Sequence, residues 1–278
     1  MRIAVEHIMG TAISLAAPDT VAAAVFRAAT GDAFAFLRHV DEVFSPYRSD
    51  SPVSLIRDGR LDPHDLGGHR DGGEIHEVLE LCAALHHASR GAFDAWKVGD
   101  PPRFDPSGAV KGWAGERASA MLAAHGLPRH ALNAGGDVRL RSGGGTNAEP
   151  WRVGLADPHR PGNLLGVLEV RDGAVATSGL AERGAHIWHP AAGRPATALA
   201  QVTVTGPDLA LADGYATAAM AQPTAARARD WLDGIAADTG YQALTVDAAG
   251  RTTTTASLTN LTWLAPAPQP AAGSSARG

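Results

Sequence analysis

Between His130 and Gly179 the chain breaks into four short β-type runs, "HALNAGGDVRL", "WRVGLAD", "LLGVLEV" and "GAVATSG". That pattern narrows the possible folds further than any other feature. Before it, the periodicity is helical. "VAAAVFRAATGDAFAFLRHVDEVF" suits one long or two short helices, with Gly31-Asp32 as the possible break, and helical spacing resumes from Glu74 to Arg90 and from about Trp113 to His125. A polar, turn-rich stretch from Ser45 to Gly73 separates the first two. After the β-type runs come another strand, "TALAQVTVTG", helices near Leu209–Ala221 and Ala225–Ala236, and closing strands at "YQALTVD" and "LTWLAP". The opening, "MRIAVEHIMGTAISLAA", also reads as a strand, and Arg171-Asp172-Gly173 carries hairpin turn chemistry between two of the β runs. No regular βαβ alternation runs through this order. The expected fold is therefore α+β, with mixed helices and mainly antiparallel short strands. One domain is expected over residues 1–265, and the Pro/Ala/Gly/Ser-rich residues 266–278 are expected to form a disordered tail.

The 278 residues are 45% hydrophobic with a net charge of −5, which describes a globular chain without the basic footprint of a nucleic-acid binder. A lone cysteine, Cys82, excludes an internal disulfide framework and a cysteine-rich zinc site, and its helical, apolar surroundings point to a buried structural thiol. No apolar run approaches the roughly 20 residues needed to span a bilayer. Glu6 and His7 fall where an export signal would need its apolar stretch, so the cytoplasm is the expected location.

Several glycine- and acid-rich segments can carry chemistry. "HIMGTAIS" places Met9-Gly10-Thr11 in a strand, where a glycine bulge is the plain reading. "GAFDAW" closes a helix at Gly91 and turns out an acid beside aromatics. In "FDPSGAVKGWA", Asp105-Pro106-Ser107-Gly108 is a turn signature and Lys111 precedes a helix. A lysine there opposes the helix dipole unless an anion such as phosphate sits beside it; a solvated lysine after a tight turn is the alternative. "NAGGDVRL" allows close backbone approach but is neither a Walker loop nor GxGxxG, and it reads otherwise as a bulged strand. Ser178 followed by Gly179 fits a turn better than a nucleophile elbow. His186 and His189 would fall on opposite faces of a strand, which argues against a zinc pair. In "ADGYATAAM", Asp213 and Thr217 share one helix face. They read either as an N-cap with a threonine above it or as two hard oxygen ligands for a divalent cation.

In their order along the chain, "MGTAISL", "SPYRSDSPVSLI", "GAFD", "DPSGAVKGWAGERA", "ALNAGGDVR", "WRVGLADP", "GAVATSG", "HIWHPAAGRPA" and "VTVTGPDLALADGYATAAM" resemble the flavin transferase family called ApbE, the FAD:protein FMN transferases. The matching segments run from about residue 8 to 221. The resemblance implies an enzyme that takes FAD and Mg²⁺, moves FMN to a threonine or serine hydroxyl of an acceptor flavoprotein as a phosphoester, and releases AMP. It implies that Met9, Tyr47, Ala92, Phe93, Asp94, Asp105, Lys111 and Ile187 meet the flavin nucleotide. It also implies that Gly108, through its carbonyl, Asp213 and Thr217 hold the cation. His186, the histidine before the "I-x-D-P" turn of the family, is the expected general base. The chain departs from that turn with His189 before Pro190, which removes a turn-forming acid. Two other functions share the same residues: an Mg²⁺-dependent FAD pyrophosphatase giving FMN and AMP, and a non-catalytic flavin-binding module.

Overall fold

The computed structural model describes residues 1–144, 148–181, 184 and 186–264. Its opening is a hairpin and not one strand: β1 (Arg2–Ile8) and β2 (Thr11–Ala17) pair antiparallel with Ile8 opposite Thr11. Met9 and Gly10 turn the chain with φ of 54° and 70°. Two consecutive positive φ values are what a tight type I′ turn demands, so the glycine serves a reversal where a bulge was expected.

Helix α1 (Ala23–Phe44) runs through Gly31 without a break. Its buried stripe of Phe26, Ala29, Ala33, Phe34, Leu37, Val40 and Phe44 is continuous across that point, and packing outweighs the roughly 1 kcal/mol that an interior glycine costs. The turn-rich stretch hides a short helix, α2 (Pro52–Arg57), started by Pro52 and capped by the Ser51 hydroxyl, which accepts the Ser54 N–H at 3.1 Å. Helix α3 (Gly72–Ala88) buries Cys82, and that burial pushes the thiol up to about 12. Helix α4 (Ser107–Ala124) begins six residues ahead of the expected Trp113. The Asp105 carboxylate accepts the Ser107 N–H at 2.9 Å, so the turn signature is itself the helix start.

The rest of the chain is β3 (Arg129–Ala134), β4 (Asp137–Ser142), β5 (Trp151–Ala156), β6 (Leu164–Val170), β7 (Gly173–Gly179), β8 (Trp188–His189), β9 (Arg194–Pro195), β10 (Leu199–Gly206), α5 (Leu209–Met220), α6 (Ala225–Thr239), β11 (Gln242–Asp247), β12 (Thr252–Thr254) and β13 (Leu261–Trp263). Eight strands form one antiparallel sheet in the order β1-β2-β3-β4-β7-β10-β11-β12, a second sheet runs β13-β6-β5, and β8 pairs with β9. The α+β expectation holds, but two local readings change. Gly135 and Gly136, at φ 62° and 98°, make the turn of a β3–β4 hairpin, so "NAGGDVRL" is not a bulged strand. Arg171 and Asp172 do not join paired strands: β6 belongs to the small sheet, and β7 lies between β4 and β10 in the large one.

The large sheet is covered on both faces. On one side Ala174, Ala176, Val202 and Val204 pack with residues of α1, α4 and α5; on the other Val138, Leu140, Val175, Leu244 and Val246 meet Leu155, Leu165 and Leu168 of the small sheet. The period-2 alternation of β7 thus feeds two cores. Buried Arg139 pins sheet to helices, donating to both Glu116 oxygens at 2.8 and 3.0 Å while Glu116 also accepts the Leu209 N–H at 2.9 Å. Among the described residues, no helix is long and apolar enough to cross a membrane.

Candidate functional site

The large sheet stops pairing early at one end. The β4–β7 ladder runs only from Leu140–Gly173 to Val138–Val175, and the next β7 N–H toward β4, that of Thr177, donates to the Asp137 carboxylate at 2.9 Å. A cavity of about 1120 Å³ opens there. It receives all twelve residues named from the sequence. Met9 comes from the β1–β2 turn, Tyr47 from the loop after α1, and Ala92, Phe93 and Asp94 from the loop after α3. Asp105, Gly108 and Lys111 come from the start of α4, His186 and Ile187 precede β8, and Asp213 and Thr217 lie on α5.

Asp213 is not the cap of its helix. Asp208 caps α5, accepting the Leu211 N–H at 3.0 Å, while Asp213 lies a turn further in and is 3% exposed. One Asp213 oxygen accepts the Gly112 N–H at 2.9 Å. In an uninterrupted helix that N–H would serve the Gly108 carbonyl alone, so the carboxylate shares or diverts it. The Gly112 position allows this approach because a Cβ there would lie 2.6 Å from the Leu209 carbonyl and 2.7 Å from the Asp213 Cβ. Gly108 faces Thr217: a Cβ on it would sit 3.1 Å from Thr217 Cγ2, 3.7 Å from Thr217 Oγ1 and 3.2 Å from Phe93 Cε2. A carboxylate, a hydroxyl and a backbone turn therefore meet in one corner, and every donor there is a hard oxygen. Among the described residues, no group of three His, Cys, Asp or Glu side chains is arranged to hold a metal. A cation in this corner would complete its shell with water or ligand oxygens, as Mg²⁺ does.

The sequence left Lys111 either beside a phosphate or solvated; the structure adds a partner. Its ammonium is ion-paired with Asp137, whose side chain is fully buried. The ion pair fixes where the ammonium sits in the cavity wall. Asp94 is also more committed than its turn position suggested. Its side chain is 7% exposed, accepts the Trp96 N–H at 2.9 Å and lies 3.5 Å from Lys97 and 3.8 Å from His86. Asp105 spends one oxygen on the α4 start. Phe93 and Ile187 are buried apolar walls, and Tyr47 is 95% exposed at the rim.

His186 is exposed, so it is not held as a buried core residue. It also lies outside any strand, so the opposite-face argument for His186 and His189 does not apply; β8 contains only Trp188 and His189. The His186 Nδ1 is 3.0 Å from the Gly184 carbonyl. A carbonyl can only accept, so Nδ1 carries the proton, and in the neutral ring Nε2 keeps a lone pair. Arg183, in the same segment, lies outside the described residues, as does the tail at 266–278.

Asp137, buried behind Lys111, and Ser178, in the cavity wall, are outside the roles that the sequence suggests. Asp137 closes "NAGGD", and an acid directly after a Gly-Gly turn was the available signal. Ser178, whose following glycine suggested a turn, lies inside β7 with its Oγ 3.3 Å from the Thr217 hydroxyl.

Residues 96–244 match the model of the ApbE family. A curated relative from Rhodobacter capsulatus, named FAD:protein FMN transferase, is 36% identical over 125 residues, covering 42% of this chain and 23% of its own length. A second of that name, from Vibrio cholerae, is 31% identical over 126 residues, 42% of this chain and 37% of its own. The chain thus spans well under half of the curated relatives it matches. Among solved structures, the ApbE protein of Thermotoga maritima superposes with a TM-score of 0.77 at 20% identity, covering 92% of this chain and 97% of that one. The apo flavinyl transferase ApbE of Pseudomonas stutzeri gives 0.71 at 21% identity, with 92% and 94% covered. The matched region contains the α4 start, the buried Asp137 and the α5 corner, and on that match the chain belongs to the ApbE family.

Proposed function

We propose that the protein transfers FMN from FAD to a threonine or serine hydroxyl of an acceptor flavoprotein, with Mg²⁺ as cofactor. The observation that carries this reading is the convergence of the Asp213–Thr217–Gly108 corner, the Lys111–Asp137 pair and His186 on one cavity. In the transfer, the acceptor oxygen bonds to the phosphorus of the FMN half, the bridging P–O bond to the AMP half breaks, and AMP leaves with the bridging oxygen. The acceptor proton passes to His186 Nε2, the nitrogen left free by the Gly184 contact. Asp213, Thr217 and the Gly108 carbonyl are the residues that would hold Mg²⁺, which when bound supplies charge neutralisation at the pyrophosphate. Lys111, held by Asp137, places a fixed positive charge at the same oxygens. Met9, Phe93 and Ile187 offer apolar contact, and exposed Tyr47 offers a ring at the rim.

The exposure of His186 favours one second reading, because water reaches the same nitrogen that an acceptor would. The protein would then hydrolyse FAD to FMN and AMP. Incubation with FAD, Mg²⁺ and a threonine-bearing acceptor protein, read by intact mass, separates the outcomes. An FMN-sized mass gain on the acceptor supports transfer; free FMN without acceptor modification supports hydrolysis. FAD left intact would reduce the protein to a binding module.

A further inference from the structure

We infer that Ser178 is a positioning residue for the proposed cation corner: its Oγ accepts a hydrogen bond from the Thr217 hydroxyl, and its own O–H donates toward the phosphate-bearing side of the cavity. The inference rests on the proposed Mg²⁺ site and assigns a role to a residue outside it. Ser178 is 9% exposed and its Oγ lies 3.3 Å from Thr217 Oγ1. On β7 the side chains alternate. Thr177 points to the small-sheet side, where its hydroxyl meets that of Thr203 at 2.9 Å, and Ser178 points to the helical side. The backbone of Ser178 is fixed opposite Val202, and its neighbour Thr177 is tied to Asp137 through its N–H. The hydroxyl is therefore presented from a rigid strand end.

Between two free hydroxyls, either can donate. That symmetry is lost once Thr217 gives a lone pair to a cation. A coordinated hydroxyl becomes the better donor, so its hydrogen goes to the neighbouring oxygen, Ser178 Oγ. Ser178 then has its own hydrogen to place, and it lines the same cavity as Lys111. An anionic oxygen there is the acceptor this geometry favours. The pair thus couples the cation to phosphate through two hydroxyls, in the manner of partners that orient metal ligands from behind.

The test is a Mg²⁺ titration of FAD binding, followed by flavin fluorescence without any acceptor, on the parent, Ser178→Ala and Ser178→Thr. A melting curve accompanies each protein. Ser178→Ala should shift the Mg²⁺ midpoint upward by about 10–100-fold, the usual cost of losing a partner that orients a metal ligand. Without Mg²⁺ the same variant should lose less FAD affinity than with it, since only the Ser178 hydroxyl's own bond to phosphate is then missing. Ser178→Thr, which keeps the hydroxyl, should restore the midpoint. An unchanged Ser178→Ala midpoint in a Mg²⁺-responsive background overturns the Ser178 assignment alone. A parent whose FAD binding ignores Mg²⁺ overturns the cation reading and this inference together.

Discussion

At the scale of single residues, the structure turns general expectations into separable ones. Substituting His186 with alanine removes an exposed ring, so stability should hold while single-turnover transfer at saturating FAD falls by about 10²–10⁴-fold, the usual contribution of a general base. A parental rate in that variant would sink the assignment. Lys111 is a harder case because removing it strands a buried carboxylate. Breaking a buried pair from one side costs about 3–5 kcal/mol, and Lys111→Met should therefore melt early as well as bind FAD weakly. Adding Asp137→Asn to Lys111→Met should restore much of the melting temperature, since the amide oxygen can still accept the Thr177 N–H. It should not restore preference for FAD over riboflavin. Recovery of both properties together would show that the lysine serves only the fold.

At the scale of elements, the α4–α5 contact decides whether the corner proposed to hold the cation exists. Gly112→Ala would press a methyl against the Leu209 carbonyl and the Asp213 Cβ, an overpacking that costs about 1–3 kcal/mol. The same push spreads the helices that bring Asp213 to the Gly112 N–H, so Mg²⁺ response should weaken in step with the melting temperature. A variant that melts early yet keeps its Mg²⁺ response would separate the contact from the corner. This is also where sequence reading succeeded and failed most clearly. The i, i+4 spacing of Asp213 and Thr217 carried their shared face, because helical periodicity is local. The Gly112–Asp213 contact joins residues 101 positions apart, and no spacing rule reaches it. Likewise, the composition of "LLGVLEV" and "GAVATSG" identified two strands, but their assignment to different sheets depends on β13, β5, β4 and β10. The starts of α2 and α4 were legible in principle, since Ser51-Pro52 and Asp105-Pro106-Ser107 are ordinary helix openings; turn chemistry and helix-start chemistry share the same residues.

At the scale of the molecule, one sheet braced on both faces makes stability depend on groups far from the cavity. His130 is 1% exposed, with its ring nitrogens 2.6 Å from the Leu127 carbonyl and 2.8 Å from the Ser119 hydroxyl. Burial pulls its pKa down from 6.5 to about 4. Between those values the unfolded chain holds a proton that the folded one refuses. The contribution of His130 is thus full above pH 6.5 and is lost as pH falls toward 4, by about 2–3 kcal/mol. Denaturant titrations of the parent and His130→Gln at pH 7 and 4.5 check this: the variant should lose less stability on acidification. The cavity has a consequence of its own, arising from how widely its walls are drawn along the chain. A ribosome must release everything from the Met9 turn to Thr217 before the pocket is complete. A flavin bound as proposed therefore could not template an early stage of folding; it could only select the finished product. Its whole binding energy should then appear as resistance to global unfolding, about 2.7 kcal/mol at a ligand concentration of 100 Kd. A chain ending before α5 should gain none of it, however much of the sheet it retains.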